Sequence, residues 1–129
     1  MAAARRELAG SPNVATSDAL VERLGRLDRG GVLSDASRRW PLATLVGTTT
    51  GPQRIKGLLP PGTSAAHKTG TGGYLPGVRV ATNNVGIVTR PDGRRFAIAV
   101  MVTGSSAPME EQERTIAKMA RAAWDSRGP

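Results

Sequence analysis

Val80-Ala81-Thr82-Asn83-Asn84-Val85-Gly86-Ile87-Val88-Thr89 and Arg95-Phe96-Ala97-Ile98-Ala99-Val100-Met101-Val102-Thr103 read as two strands. Val85, Ile87, Ile98, Val100 and Val102 are β-branched, which suits a pleated, half-buried surface. Arg90-Pro91-Asp92-Gly93 between them carries turn chemistry, so the two strands are expected to be antiparallel neighbours. A third strand is expected over residues 64–71. It begins after the breaker Pro60-Pro61-Gly62 and ends in His67-Lys68-Thr69-Gly70-Thr71-Gly72.

Helical signals flank these strands. Leu20, Leu24 and Leu27 recur at helical spacing behind a capping Thr16 or Ser17, and Gly30-Gly31 supplies a stop. Ser34 starts a second helix carrying Leu42, Leu45 and Val46, which Pro41 is expected to kink or shorten. Thr50-Gly51-Pro52 opens a short segment of about one helical turn. A closing helix over 108–125 has Pro108 in its first turn, Glu110, Glu111 and Glu113 near its positive end, and Lys118 and Arg121 near its negative end. Ile116, Met119, Ala120, Ala123 and Trp124 form its apolar face. Residues 1–12 show no period and read as a tail or loop remnant.

Composition narrows the chemistry. The 129 residues contain no cysteine, so disulfides and thiolate metal sites are excluded; one histidine among scattered acids makes any metal site a poor expectation, and no cofactor is expected. No apolar run is long enough to span a membrane. The formal charge is +8, but the arginines are dispersed (Arg5-Arg6, Arg38-Arg39, Arg94-Arg95) and no stripe is interleaved with stacking aromatics. A solvated arginine-rich surface is therefore expected rather than nucleic-acid binding.

The Lys68-Thr69-Gly70 stretch is the candidate site. An ammonium, a hydroxyl and a glycine that lets a ligand approach the backbone can together grip a carboxylate. A backbone N–H just beyond, at Thr71, can face a developing oxyanion. Three residues alone recur by chance, but their setting is more specific. Upstream stand Thr50-Gly51-Pro52-Gln53-Arg54-Ile55-Lys56-Gly57-Leu58-Leu59-Pro60 and Gly62-Thr63; downstream stand Asn83-Asn84-Val85-Gly86-Ile87-Val88, Pro91-Asp92-Gly93-Arg94 and the closing helix.

This ordered set resembles the class A serine β-lactamases, in particular the branch with His-Lys-Thr-Gly and Thr-Gly-Pro-x-Arg-Ile-Lys, over about residues 13–125. Asn13-Val14-Ala15-Thr16-Ser17 is similar to the segment after that family's omega loop, with Ser17 where proline is usual. Penicillin-binding transpeptidases also use Lys-Thr-Gly, but the closing helix and the Arg54 segment favour the lactamase branch. The resemblance implies an α+β fold in which three antiparallel strands, leading helices and a C-terminal helix form part of a five-stranded sheet domain. It implies that Lys68, Thr69, Gly70 and Arg54 hold a β-lactam carboxylate and that Thr71 donates a backbone N–H to the oxyanion hole.

The other family motifs are not found. No serine stands three residues before Lys56, Lys68 or Lys118; Thr115-x-x-Lys118 is the nearest imitation. Ser17-Asp18-Ala19 and Ser34-Asp35-Ala36 fit helix caps better than Ser-Asp-Asn, and Glu7 stands too close to Asn13 to replace the omega-loop glutamate. Asn83-Asn84 replaces the branch's usual Asn-Asp, removing a carboxylate. A C-terminal portion of a serine hydrolase, inactive alone and needing an N-terminal half as partner, is therefore expected. The alternatives are a noncatalytic carboxylate-binding module and a basic nucleic-acid-binding protein. A Ser-His-Asp site on His67 lacks an orienting acid. The family is generally periplasmic or secreted; the N-terminal stretch has no apolar signal-like run, so a cytoplasmic location is expected of the chain as written.

Overall fold

The computed structural model describes Arg6, Ala9, Gly10 and residues 14–128. Most of the expected 1–12 tail, with Glu7, and Asn13 lie outside the described residues. Helix α1, Ser17–Arg29, starts where Thr16 accepts the Ala19 N–H at 3.2 Å and stops at Gly30, whose φ of 84° costs a glycine little. Helix α2, Asp35–Val46, is capped by Ser34, which accepts the Ser37 N–H at 3.2 Å. Pro41 lies inside α2 but does not shorten it: the ring removes one N–H, and the helix runs on to Gly47. Lys56 Nζ then caps the end of α2, donating to Val46 O at 3.4 Å and to Thr48 O at 3.1 Å.

The sheet is antiparallel throughout. Its strands are β1 (Ser64–Thr71), β2 (Tyr74–Leu75), β3 (Val78–Thr89) and β4 (Arg95–Ser105), with β3 between β1 and β4. The three long strands match the expectation. The short β2 was not foreseen: Gly77, at φ 71°, turns the chain so that Tyr74 pairs with Arg79, and the Arg79 guanidinium stacks 4.1 Å from the Tyr74 ring centre. In the β3–β4 turn Asp92 accepts the Arg94 N–H at 2.9 Å.

Helix α3, Met109–Asp125, lies across one face of the sheet and packs Ile116 and Ala120 against Ile55, Ala65, Val88, Phe96, Ile98 and Val100. Each fully buried side chain of the Val, Ile or Phe kind contributes about 1.5–3 kcal/mol. Pro108 is the N-cap of α3 rather than part of its first turn. Helix α1 packs against β3 and β4, where Arg95 Nη1 meets Asp28 Oδ1 at 2.7 Å, and α2 packs against β1. Neither α1 nor α2 has a fully buried residue, and Trp40 on α2 is 76% exposed.

Candidate functional site

The Lys-Thr-Gly stretch ends β1, and β3 fixes its register: Lys68 pairs with Val85, Thr69 with Asn84, Gly70 with Asn83 and Thr71 with Thr82. Lys68, Gly70 and Thr71 are exposed and Thr69 is half-buried. Lys68 Nζ donates to the Thr69 carbonyl of its own strand. The Thr69 hydroxyl pairs with Thr50 Oγ1 at 2.9 Å. Gly51 makes this approach possible: it has φ 58°, and a Cβ there would lie 2.7 Å from Thr69 Cγ2 and 2.9 Å from Arg54 Cδ.

Arg54 supports the strand from behind. It is 4% exposed, and its guanidinium donates from Nη1 to Gly70 O at 3.3 Å and Asn83 O at 2.9 Å. Nη2 donates to Thr71 Oγ1 at 2.9 Å and faces Met109 Sδ at 3.9 Å, and Nε donates to Glu113 Oε1 at 3.1 Å. A guanidinium has five N–H groups in a planar fork, and all five have a partner within the chain. One buried cation thus ties two strands to α3. A second tie runs beside it: the buried Thr82 hydroxyl donates to Gln112 Oε1 at 2.6 Å, and Gln112 Nε2 donates to Ala107 O at 2.6 Å.

His67 is fully buried next to Lys68, and its Nδ1 lies 3.1 Å from Asn84 Oδ1. Burial holds the imidazole below its ordinary pKa, and the positive charges of Lys56 and Arg54 act in the same direction. The Asn84 hydrogen bond opposes them more weakly than burial acts. Asn84 cannot supply the charge of a carboxylate, so a neutral ring is favoured. His67 has no acid partner and no serine hydroxyl bonded to it among the described residues, which leaves it without the geometry of a catalytic base.

Several other hydroxyls are engaged locally. Thr16 and Ser34 cap helices, Thr115 Oγ1 donates to Glu111 O at 2.9 Å within α3, and Ser105 Oγ accepts the Ala107 N–H at 3.2 Å. Among the described residues no three of His, Cys, Asp and Glu cluster as metal ligands. The site offers an ammonium, a hydroxyl and backbone on one exposed strand end, and among the described residues no nucleophile–base pair is present within it.

Of the residues expected at the site, Lys68, Thr69, Gly70 and Thr71 are contiguous on β1 and Arg54 lies directly behind them. Thr50 and Glu113 are not among the expected site residues, and Asn84 is expected there only as the replacement of a carboxylate near the site. Thr50 stood in the quoted motif segment, whereas Glu113 read only as an acid near a helix start. No local pattern announces a partner 59 residues away.

A family model described as the β-lactamase enzyme family matches residues 1–126. The chain belongs to the class A serine β-lactamase family. It is 44% identical over 103 residues to the extended-spectrum β-lactamase PER-1 of Pseudomonas aeruginosa, a match covering 80% of this chain and 33% of that relative. Among solved structures, TLA-1 extended-spectrum β-lactamase superposes with a TM-score of 0.83 at 42% identity over 93% of this chain and 46% of that one. A β-lactamase from Chitinophaga pinensis superposes with a TM-score of 0.87 at 35% identity, over 95% and 47% of the two chains. The chain thus spans about a third of PER-1 and just under half of these two structures. The α+β fold expected from the sequence agrees with these structures.

Proposed function

We propose that this chain supplies the carboxylate clamp and one oxyanion donor of a class A type serine hydrolase that opens β-lactam rings. The observation carrying this reading is the exposed Lys68–Thr71 stretch held from behind by Arg54. In the proposed reaction Lys68 Nζ and the Thr69 hydroxyl grip the β-lactam carboxylate, and Gly70 lets it approach the backbone. The Thr71 N–H meets the lactam carbonyl oxygen as charge develops there. Arg54 adds its positive charge from behind the strand and holds the clamp in shape, since its own N–H groups are already engaged.

The nucleophile belongs to a partner half. A serine hydroxyl would add to the lactam carbonyl and the C–N bond would break, leaving an acyl-enzyme that water releases. Losing the nucleophile from such a unit costs several orders of magnitude in rate. The isolated chain is therefore inactive in this proposal, and substrate is held by one wall only.

The test is hydrolysis of a chromogenic cephalosporin. The purified chain alone should give no turnover. Mixed with the serine-bearing half of a class A relative, it should give turnover that disappears in Lys68→Ala. Turnover by the chain alone that Lys68→Ala abolishes would instead place a nucleophile within these residues, and the proposal would fall.

A further inference from the structure

Side chains alternate along β1, so Thr69 and Thr71 share one face of the strand and Lys68 takes the other. The loop from Thr50 to Arg54 meets the threonine face at both of its ends. Thr50 Oγ1 lies 2.9 Å from Thr69 Oγ1, and Arg54 Nη2 donates to Thr71 Oγ1 at 2.9 Å. A turn closes the loop in between, with the Arg54 N–H donating to Gly51 O at 3.0 Å. Lys56 Nζ fixes the approach to it by donating to Thr48 O at 3.1 Å. Gly51 brings the loop so near the strand that a Cβ there would lie 2.7 Å from Thr69 Cγ2.

A hydroxyl has one proton to give. Thr71 Oγ1 accepts from Arg54, so its own proton stays free. No cation stands behind Thr69 in this way; among the described residues Thr50 is the one polar group bonded to its hydroxyl. If Thr69 gives its proton to Thr50, none is left for a carboxylate. If Thr50 donates instead, Thr69 accepts from behind and keeps its proton for a ligand.

We propose that Thr50 is a positioning residue of the clamp: it donates to Thr69 and so directs the Thr69 proton to the carboxylate of a β-lactam. This rests on the clamp reading given above. The carboxylate settles the direction, because it can only accept and draws the Thr69 proton to itself. The two bonds then run in series, Thr50 to Thr69 to carboxylate, and each polarises the other. Thr50 is exposed, so water competes for its contact until a ligand covers it. Its contribution therefore falls on binding and not on folding.

The test is titration of the isotope-labelled full chain with benzylpenicillin, read from the amide shifts of residues 69–71. Thr50→Val removes the donor and keeps the shape. It should weaken binding roughly threefold to tenfold, the worth of one hydrogen bond, and leave the urea midpoint unchanged. Thr50→Ser should restore binding. Because Thr50 acts through Thr69, Thr50→Val should add nothing to the loss caused by Thr69→Val. Unchanged affinity in Thr50→Val while Lys68→Ala weakens binding would overturn this inference and leave the clamp reading standing. A loss that serine does not restore, or one that adds fully to Thr69→Val, would overturn it too. No shift with the unaltered chain, or full binding by Lys68→Ala, would overturn the clamp reading and this inference with it.

Discussion

Arg54 donates to the Thr71 hydroxyl at 2.9 Å across 17 residues of chain, and the same guanidinium reaches Glu113 on α3. The clamp strand is thereby fastened to the C-terminal helix through one buried cation. This places the shape of the candidate site under the control of a side chain that does not face the solvent.

Arg54→Ala should be strongly destabilising, by about 3–5 kcal/mol, because it leaves Glu113 and the Gly70 and Asn83 carbonyls without their partner. Arg54→Lys should recover less than half of that loss, since an ammonium cannot reproduce the planar fork. Urea unfolding of the three proteins measures both effects. Full recovery with lysine would show that charge alone, and not the fork, holds the strand.

Lys68→Ala should separate function from fold. Lys68 is exposed and its only hydrogen bond among the described residues is to its own strand, so stability should change by no more than about 0.5 kcal/mol. A larger loss would mean that Lys68 supports the sheet, and lost activity in this variant would no longer report on substrate binding.

Gly86→Ala should loosen β1 from β3. A Cβ at Gly86 would lie 2.6 Å from the Ala66 carbonyl oxygen and 2.9 Å from His67 Cβ, and backbone cannot step aside cheaply. A cost of about 2 kcal/mol or more is expected, which lowers Tm by roughly 8 °C or more for a domain of this size. A thermal melt reads it directly, and an unchanged Tm would show that β1 can shift.

The buried His67 makes stability depend on pH. Its folded pKa is depressed, so its neutral form is favoured. The associated stability is fully present above the unfolded value near 6.5 and is lost as pH falls through the depressed folded value. The slope cannot exceed about 1.4 kcal/mol per pH unit for one proton. Asn84→Asp should reduce this acid loss by offering the imidazolium a carboxylate at 3.1 Å range. Urea midpoints between neutral and mildly acidic pH test the sign. An acid loss equally steep in His67→Gln would assign it to other groups.

Much of this was legible before any fold was known. β-Branched residues mark β3 and β4, the breaker Pro60-Pro61-Gly62 marks the approach to β1, Arg90–Gly93 marks the hairpin turn, and Thr16, Ser34 and Gly30 mark helix ends, because each of these signals acts over a few residues. The expected shortening at Pro41 does not occur, because the caps and the packing of α2 on β1 carry the twelve-residue helix past the missing N–H. The β2 pairing escaped notice because two residues are too few to show a period, and the Arg79–Tyr74 stack that accompanies it is a tertiary contact.

Sequence alone determined the residue types of the clamp, their order and the strand that carries them, since spacing along a chain survives any fold. Only the tertiary structure decided that Arg54 spends its whole guanidinium on Gly70, Asn83, Thr71, Met109 and Glu113, and that Asn84 stands against His67. Those relationships join residues far apart in the chain, and they exist only once burial has removed water as the competing partner.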